Sequence, residues 1–227
     1  MKKFTILASL VGALVFTAYA NNTNNNNNTK PATTEVATPA KARAYKVDAA
    51  KSEVKWHAKK VTGEHFGTLA LADGQMDVQG NKVVGGTFTF DMNSVAVTDI
   101  KDPEYNQKLV GHLKSDDFFS AEKNPTATFK ITSVKPAAKG ANGTANATVT
   151  GDLTIKGITK PVTFPATITV KNGVANAKAD VTVDRSKFDI RYGSKSFFDN
   201  LGDKAIHDDF VVTIDVTANQ STVTAQK

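Results

Sequence analysis

Val162-Thr163-Phe164-Pro165-Ala166-Thr167-Ile168-Thr169-Val170-Lys171, then Asn172-Gly173, then Val174-Ala175-Asn176-Ala177-Lys178-Ala179-Asp180-Val181-Thr182-Val183-Asp184 is the stretch that decides the fold. On each side of Asn172-Gly173 the apolar residues recur at every second position. A strand places successive side chains on opposite faces, so this period gives one apolar and one polar face. Asn-Gly supplies two residues that tolerate positive φ, which a two-residue hairpin turn requires. The stretch therefore reads as a β-hairpin with one buried side.

The same period extends outward along the chain. Val54, Trp56 and Ala58 alternate with Lys55, His57 and Lys59. Phe88, Phe90 and Met92 alternate with Thr87, Thr89 and Asp91. Further runs carry Phe129 and Ile131, then Val149, Leu153 and Ile155, and finally Phe210, Val212, Ile214 and Val216. Asp73-Gly74, Gly80-Asn81 and Lys156-Gly157 are read as further turns. Two stretches break the pattern. Pro103 with Glu104 suits a first helical turn, and Tyr105, Leu109 and Leu113 share one helical face, which predicts a short helix over 103–114. Residues 186–206, with Gly193, Gly202 and Phe197-Phe198, form a long connection of the kind that often carries function on all-β scaffolds.

About eight such strands can form a sandwich of two sheets or a closed barrel. Ala175, Ala177 and Ala179 place methyl groups where neighbouring strands place Phe, Ile and Val. Small inward residues leave room inside a barrel, unless Phe88, Phe90 or Phe164 fills that room from opposite. The period leaves both architectures open.

The ends of the chain are of a different kind. Met1-Lys2-Lys3, an apolar run over 4–16 and Ala18-Tyr19-Ala20 form the three-part pattern of a secretory signal, with cleavage expected after Ala20. That run is short for a bilayer span, which needs about 20 apolar residues. Residues 21–43, rich in Asn, Thr and Pro, read as a linker that cannot bury enough apolar area to fold. The domain is expected over 44–220 and a flexible tail over 221–227. Of the 227 residues, 28 are Lys or Arg and 22 Asp or Glu, a net charge of +6. The excess lies at the ends. Lys2, Lys3, Lys30, Lys41, Arg43 and Lys227 stand there against Glu35, which leaves 44–220 at +1. A nucleic-acid-binding domain, which needs a concentrated cationic face, is not expected. With no cysteine, disulfides and thiolate chemistry are excluded.

Several segments are similar, in order and in register over nearly all of 44–218, to the YceI-like family. Tyr45-Lys46-Val47-Asp48 with Ser52-Glu53-Val54-Lys55-Trp56 resembles its opening strands. Gly85-Gly86-Thr87-Phe88-Thr89-Phe90-Asp91-Met92-Asn93-Ser94 resembles its central strand. His112-Leu113-Lys114-Ser115-Asp116-Asp117-Phe118-Phe119 resembles its helix exit, and Gly151-Asp152-Leu153-Thr154-Ile155-Lys156-Gly157-Ile158-Thr159-Lys160-Pro161-Val162 its hairpin. The resemblance implies an all-β, lipocalin-like, eight-stranded antiparallel barrel with one short helix. It also implies an elongated apolar lumen for a long amphiphilic lipid: a polyisoprenoid, an isoprenoid quinone, or a fatty acid or amide. Periplasmic or secreted placement agrees with the signal pattern, no integral membrane span is expected, and a homodimer is left open.

On the barrel reading the apolar phase faces inward. The candidate ligand-facing residues are then Trp56, Phe88, Phe90, Met92, Phe129, Leu153, Phe164, Ile168, Ala175, Ala177 and Ala179. His65 and His112 are candidate polar residues at the rim. No two of His57, His65, His112 and His207 stand at metal-ligand spacing, and there is no Gly-x-Ser-x-Gly elbow. No metal, cofactor or catalytic residue is therefore expected. The alternative is a periplasmic hydrolase or isomerase acting on an apolar substrate, with His65 or His112 as base.

Overall fold

A computed structural model describes residues 41–137 and 145–221. The expected signal peptide, the linker up to residue 40 and the tail from 222 lie outside the described residues. The last residue of the expected linker, Arg43, opens the first strand. The strands are β1 (Arg43–Val47), β2 (Glu53–Lys60), β3 (Gly63–Gln79), β4 (Lys82–Val97), β5 (Thr126–Pro136), β6 (Ala147–Ile155), β7 (Ile158–Lys171), β8 (Val174–Asp184) and β9 (Ile206–Gln220). One α-helix, α1 (Pro103–Lys114), lies between β4 and β5.

From β2 to β9 every strand pairs antiparallel with the next, and β9 pairs back onto β2. The result is a closed eight-stranded antiparallel barrel, with no edge strand left to template association. β1 lies between β3 and β9, as β2 does farther along the same two strands. The two are one stave broken by a 3₁₀ turn at Ala49–Lys51. Ser52 holds the break: its hydroxyl donates to the Asp48 carbonyl at 2.8 Å and accepts from the Thr217 amide at 3.1 Å.

The period of two becomes burial most clearly in β6. Ala147, Val149, Gly151, Leu153 and Ile155 are buried, and the four residues between them are not. The turns at Lys156-Gly157 (φ +51° and +73°) and Asn172-Gly173 (φ +53° and +75°) each use two left-handed residues, whose twist matches that of the flanking strands.

Two sequence expectations fail in detail. Asp73-Gly74 is not a turn. It sits inside β3, beside a register shift between Leu71 and Asp73. The glycine answers a close approach instead, because a Cβ there would lie 2.7 Å from Val47 Cγ2. Tyr105 does not share the inner face of α1 with Leu113 but is 64% exposed. Asn106 faces inward in its place, and its side-chain amide donates to the carbonyls of Val97 (2.9 Å) and Ile100 (3.0 Å). The helix itself starts as its sequence indicates. The Asp102 carboxylate accepts from the amides of Glu104 and Tyr105, and Pro103 follows at the first helical position.

One end of the barrel carries the β2–β3 and β6–β7 turns, the segment containing α1, and the 185–205 connection. The other carries β1 and the β3–β4 and β7–β8 turns.

Candidate functional site

The alternating strands leave an internal cavity of about 160 Å³ in the half of the barrel nearest α1. Its floor is aromatic. Phe129 lies 5.6 Å from Phe164 and 6.5 Å from Phe88, ring centre to ring centre. Phe129 and Phe164 border the space, with Phe88 beneath them. Gly151 makes this floor possible, since a Cβ there would meet the Phe129 ring at 2.4 Å. The walls come from Trp56, Phe90, Met92, Phe210, Val212 and Ile214. The roof comes from the two long connections: Leu113, Phe118 and Phe119 from one, Ile190 from the other. Apolar cavities of this size stay dry and accept apolar guests.

Of the eleven residues expected to face a ligand, Trp56, Phe90, Met92, Phe129, Leu153 and Phe164 line this cavity. Phe88, Ile168, Ala175, Ala177 and Ala179 do not. They belong to the packed core or lie against it, and Ala175 has no exposed surface at all. The lumen implied by the resemblance was elongated; the cavity occupies one half of the barrel because the phenylalanine cluster fills its middle.

The sequence reading missed Arg185, which borders the cavity and is only 4% exposed. The signal was present: it continues the apolar phase Val181, Val183. Four of its five N–H groups donate to backbone carbonyls. Nε donates to the His207 carbonyl (3.1 Å), Nη1 to those of Ile190 (3.1 Å) and Tyr192 (2.8 Å), and Nη2 to that of Ile206 (3.2 Å). Nη2 also lies 3.3 Å from Asp208 Oδ1, an ion-pair contact without hydrogen-bond alignment. Burial works against the guanidinium's charge and Asp208 supports it. Arg185 thus ties the 185–205 connection to β9, and Asp208 beside it answers its charge.

Three of the four histidines stand apart from the lumen. His65 Nδ1 is 2.8 Å from Asp99 Oδ2, and the other Asp99 oxygen accepts from the Phe66 amide. His112 Nε2 is 3.1 Å from Asp117 Oδ2, and its ring is edge-on to Phe118 and Tyr192. His57 pairs with Glu64 at 3.0 Å. Only His207 borders the cavity. Among the described residues no hydroxyl is hydrogen-bonded to a histidine ring, and no group of three or more His, Asp or Glu is placed to hold a metal ion. Nor is any helix among them long and apolar enough to cross a membrane.

The model of the YceI-like domain matches residues 45–218, all of the stranded region but two residues at each end. The chain belongs to the YceI-like family. Solved structures agree with this YceI-like barrel. Burkholderia cenocepacia BcnA is 26% identical with a TM-score of 0.57, over 76% of this chain and 99% of that one. A polyisoprenoid binding domain from Saccharophagus degradans, implicated in plant cell wall breakdown, is 14% identical with a TM-score of 0.55, over 79% and 99%. A mutant of the Campylobacter jejuni YceI protein is 22% identical with a TM-score of 0.51, over 68% and 85%. No curated protein sequence is significantly similar to the chain.

Proposed function

We propose that the barrel is a non-enzymatic binding protein, exported to the periplasm or secreted, that carries or buffers a long amphiphilic lipid. The observation that supports this most is the cavity: walls of paired strands, aromatic and aliphatic lining, and one buried charge, Arg185, held by four backbone carbonyls and Asp208. Such a space discriminates by apolar contact and by excluding water. A polyisoprenoid or isoprenoid quinone stands first among ligands, because the Saccharophagus degradans relative of the same fold is described as a polyisoprenoid binding domain. The signal pattern at 1–20 supports export.

About 160 Å³ takes one ring or a short run of chain. A longer tail displaces roof side chains, and Phe118, Phe119 and Ile190 sit on connections rather than strands. The hydrolase or isomerase alternative needs a base facing the substrate, whereas His65 and His112 are paired with carboxylates outside the lining. The test is native mass spectrometry of the chain purified without detergent from its own host. Retained intact long-chain lipid is the expected result. A barrel that is always empty, or one that turns lipid into product, contradicts the proposal.

A further inference from the structure

Seven large apolar side chains are exposed among the described residues, between 38% and 64%. Six of them, Val61, Phe66, Tyr105, Tyr192, Phe197 and Phe198, lie at the cavity end of the barrel. The seventh, Val84, lies beside the β3–β4 turn at the other end. Exposed apolar residues scattered singly need no explanation, but their concentration at one end does.

We infer that this end docks on a lipid bilayer with anionic headgroups, an inference that rests on the reading of the cavity as a lipid site. The 185–205 connection has two working sides. Its Ile190 lines the cavity. Two residues on, Tyr192 lies 5.4 Å from Phe118, itself a lining residue, and stays 46% exposed. Five residues farther, Phe197 and Phe198 face outward, with the Arg191 guanidinium 5.0 Å from the Phe197 ring centre. Apolar surface thus runs from the lumen, through Phe118 and Tyr192, to the outside.

Aromatic rings set beside cations suit the bilayer interface, where the ring enters the headgroup region and the charge meets lipid phosphate. Lys59 and Lys60 end β2 on this side, and Lys195 and Lys204 flank the exposed phenylalanines; among the described residues none of the four has a side-chain partner. Asp199, Asp203 and Glu64 offset part of their charge, and Asp189 pairs with Arg191 at 2.6 Å. Apolar insertion therefore supplies most of the binding, and the lysines favour anionic over zwitterionic surfaces. A lipid leaving the membrane would then reach the roof without crossing water.

The test is co-sedimentation of the processed full-length chain with vesicles of roughly 2:1 phosphatidylcholine and phosphatidylglycerol. The wild type should pellet with them. F197S/F198S should bind roughly tenfold more weakly, because two rings lose their burial in the interface. V84S, at the opposite end, should bind as the wild type does. F198W, which keeps the fold's aromatic position, should shift its emission to shorter wavelength on vesicles. A wild type that stays in the supernatant, a double variant that pellets normally, or an unshifted F198W overturns the docking face. Equal binding to phosphatidylcholine alone overturns its anionic character. Native mass spectrometry of F197S/F198S separates this inference from the lipid reading: lipid retained without vesicle docking leaves the cavity assignment standing.

Discussion

The two ends of the barrel are made by the same strands yet are filled differently. In β9, Phe210, Val212 and Ile214 border the cavity and remain half-buried, whereas Val216 and Ala218, farther along the same face, are buried outside it. In β4, Phe90 and Met92 line the space and Phe88 lies below it. Alternation fixes which way a side chain points. Whether space remains depends on what projects from opposite, and the Phe88–Phe129–Phe164 cluster divides the interior. Small residues mark the packed half, where Ala175 and Ala218 have no exposed surface. Alanine on an inward face therefore signals a close approach here rather than a lumen.

The most severe way to break the contrast is to remove the tie at the cavity end. Arg185→Met leaves four backbone carbonyls and the Asp208 carboxylate without their cation. It should cost about 3–5 kcal/mol, read from urea unfolding, because an uncompensated buried charge remains. A loss below about 1 kcal/mol would show that the connection holds without it.

A paired insertion sharpens the comparison. Ala175→Phe places a ring in the packed half and should cost about 3 kcal/mol by overpacking. Val212→Phe places a ring against the cavity and should cost less than about 1 kcal/mol while reducing lipid retention. Equal costs in thermal melts would mean that the two halves are packed alike.

The smallest effect expected is electrostatic. Burial opposes ionisation of Asp99, but the hydrogen bonds from His65 and from the Phe66 amide outweigh it and hold its pKa below the ordinary carboxylate value. A depressed folded pKa stabilises above the unfolded value and loses that contribution as pH falls through the folded one. The loss therefore belongs below about pH 4. Asp99→Asn should flatten the acid limb of the stability curve by less than about 1 kcal/mol. An unchanged acid limb would remove Asp99 from the account.

Strand alternation and Asn172-Gly173 made the fold class legible, and Pro103-Glu104 made the helix legible. These signals are local: a period and a turn need only neighbours in sequence. Asp73-Gly74 misled because the same dipeptide serves a turn and a tight strand contact, and only the position of Val47 tells them apart. The closure of the barrel and the family's ligand class came from the resemblance rather than from the period. The candidate site was half legible. Trp56, Phe90 and Phe129 could be placed on the inner face, but the height at which space opens is set by partners more than a strand apart in sequence. Arg185 stood in the apolar phase as a charge out of place, which only its four carbonyl partners explain.

On the proposed function, apolar ligands enter the cavity end and stop at the phenylalanine floor. Trp56 reports on it directly, since its ring borders the space while Nε1 donates to the Ala96 carbonyl at 3.1 Å. Titration with a short-chain isoprenoid quinone should quench Trp56 saturably in the wild type and much more weakly in Val212→Phe. Quenching that never saturates in the wild type, or that is identical in the two proteins, would contradict the claim.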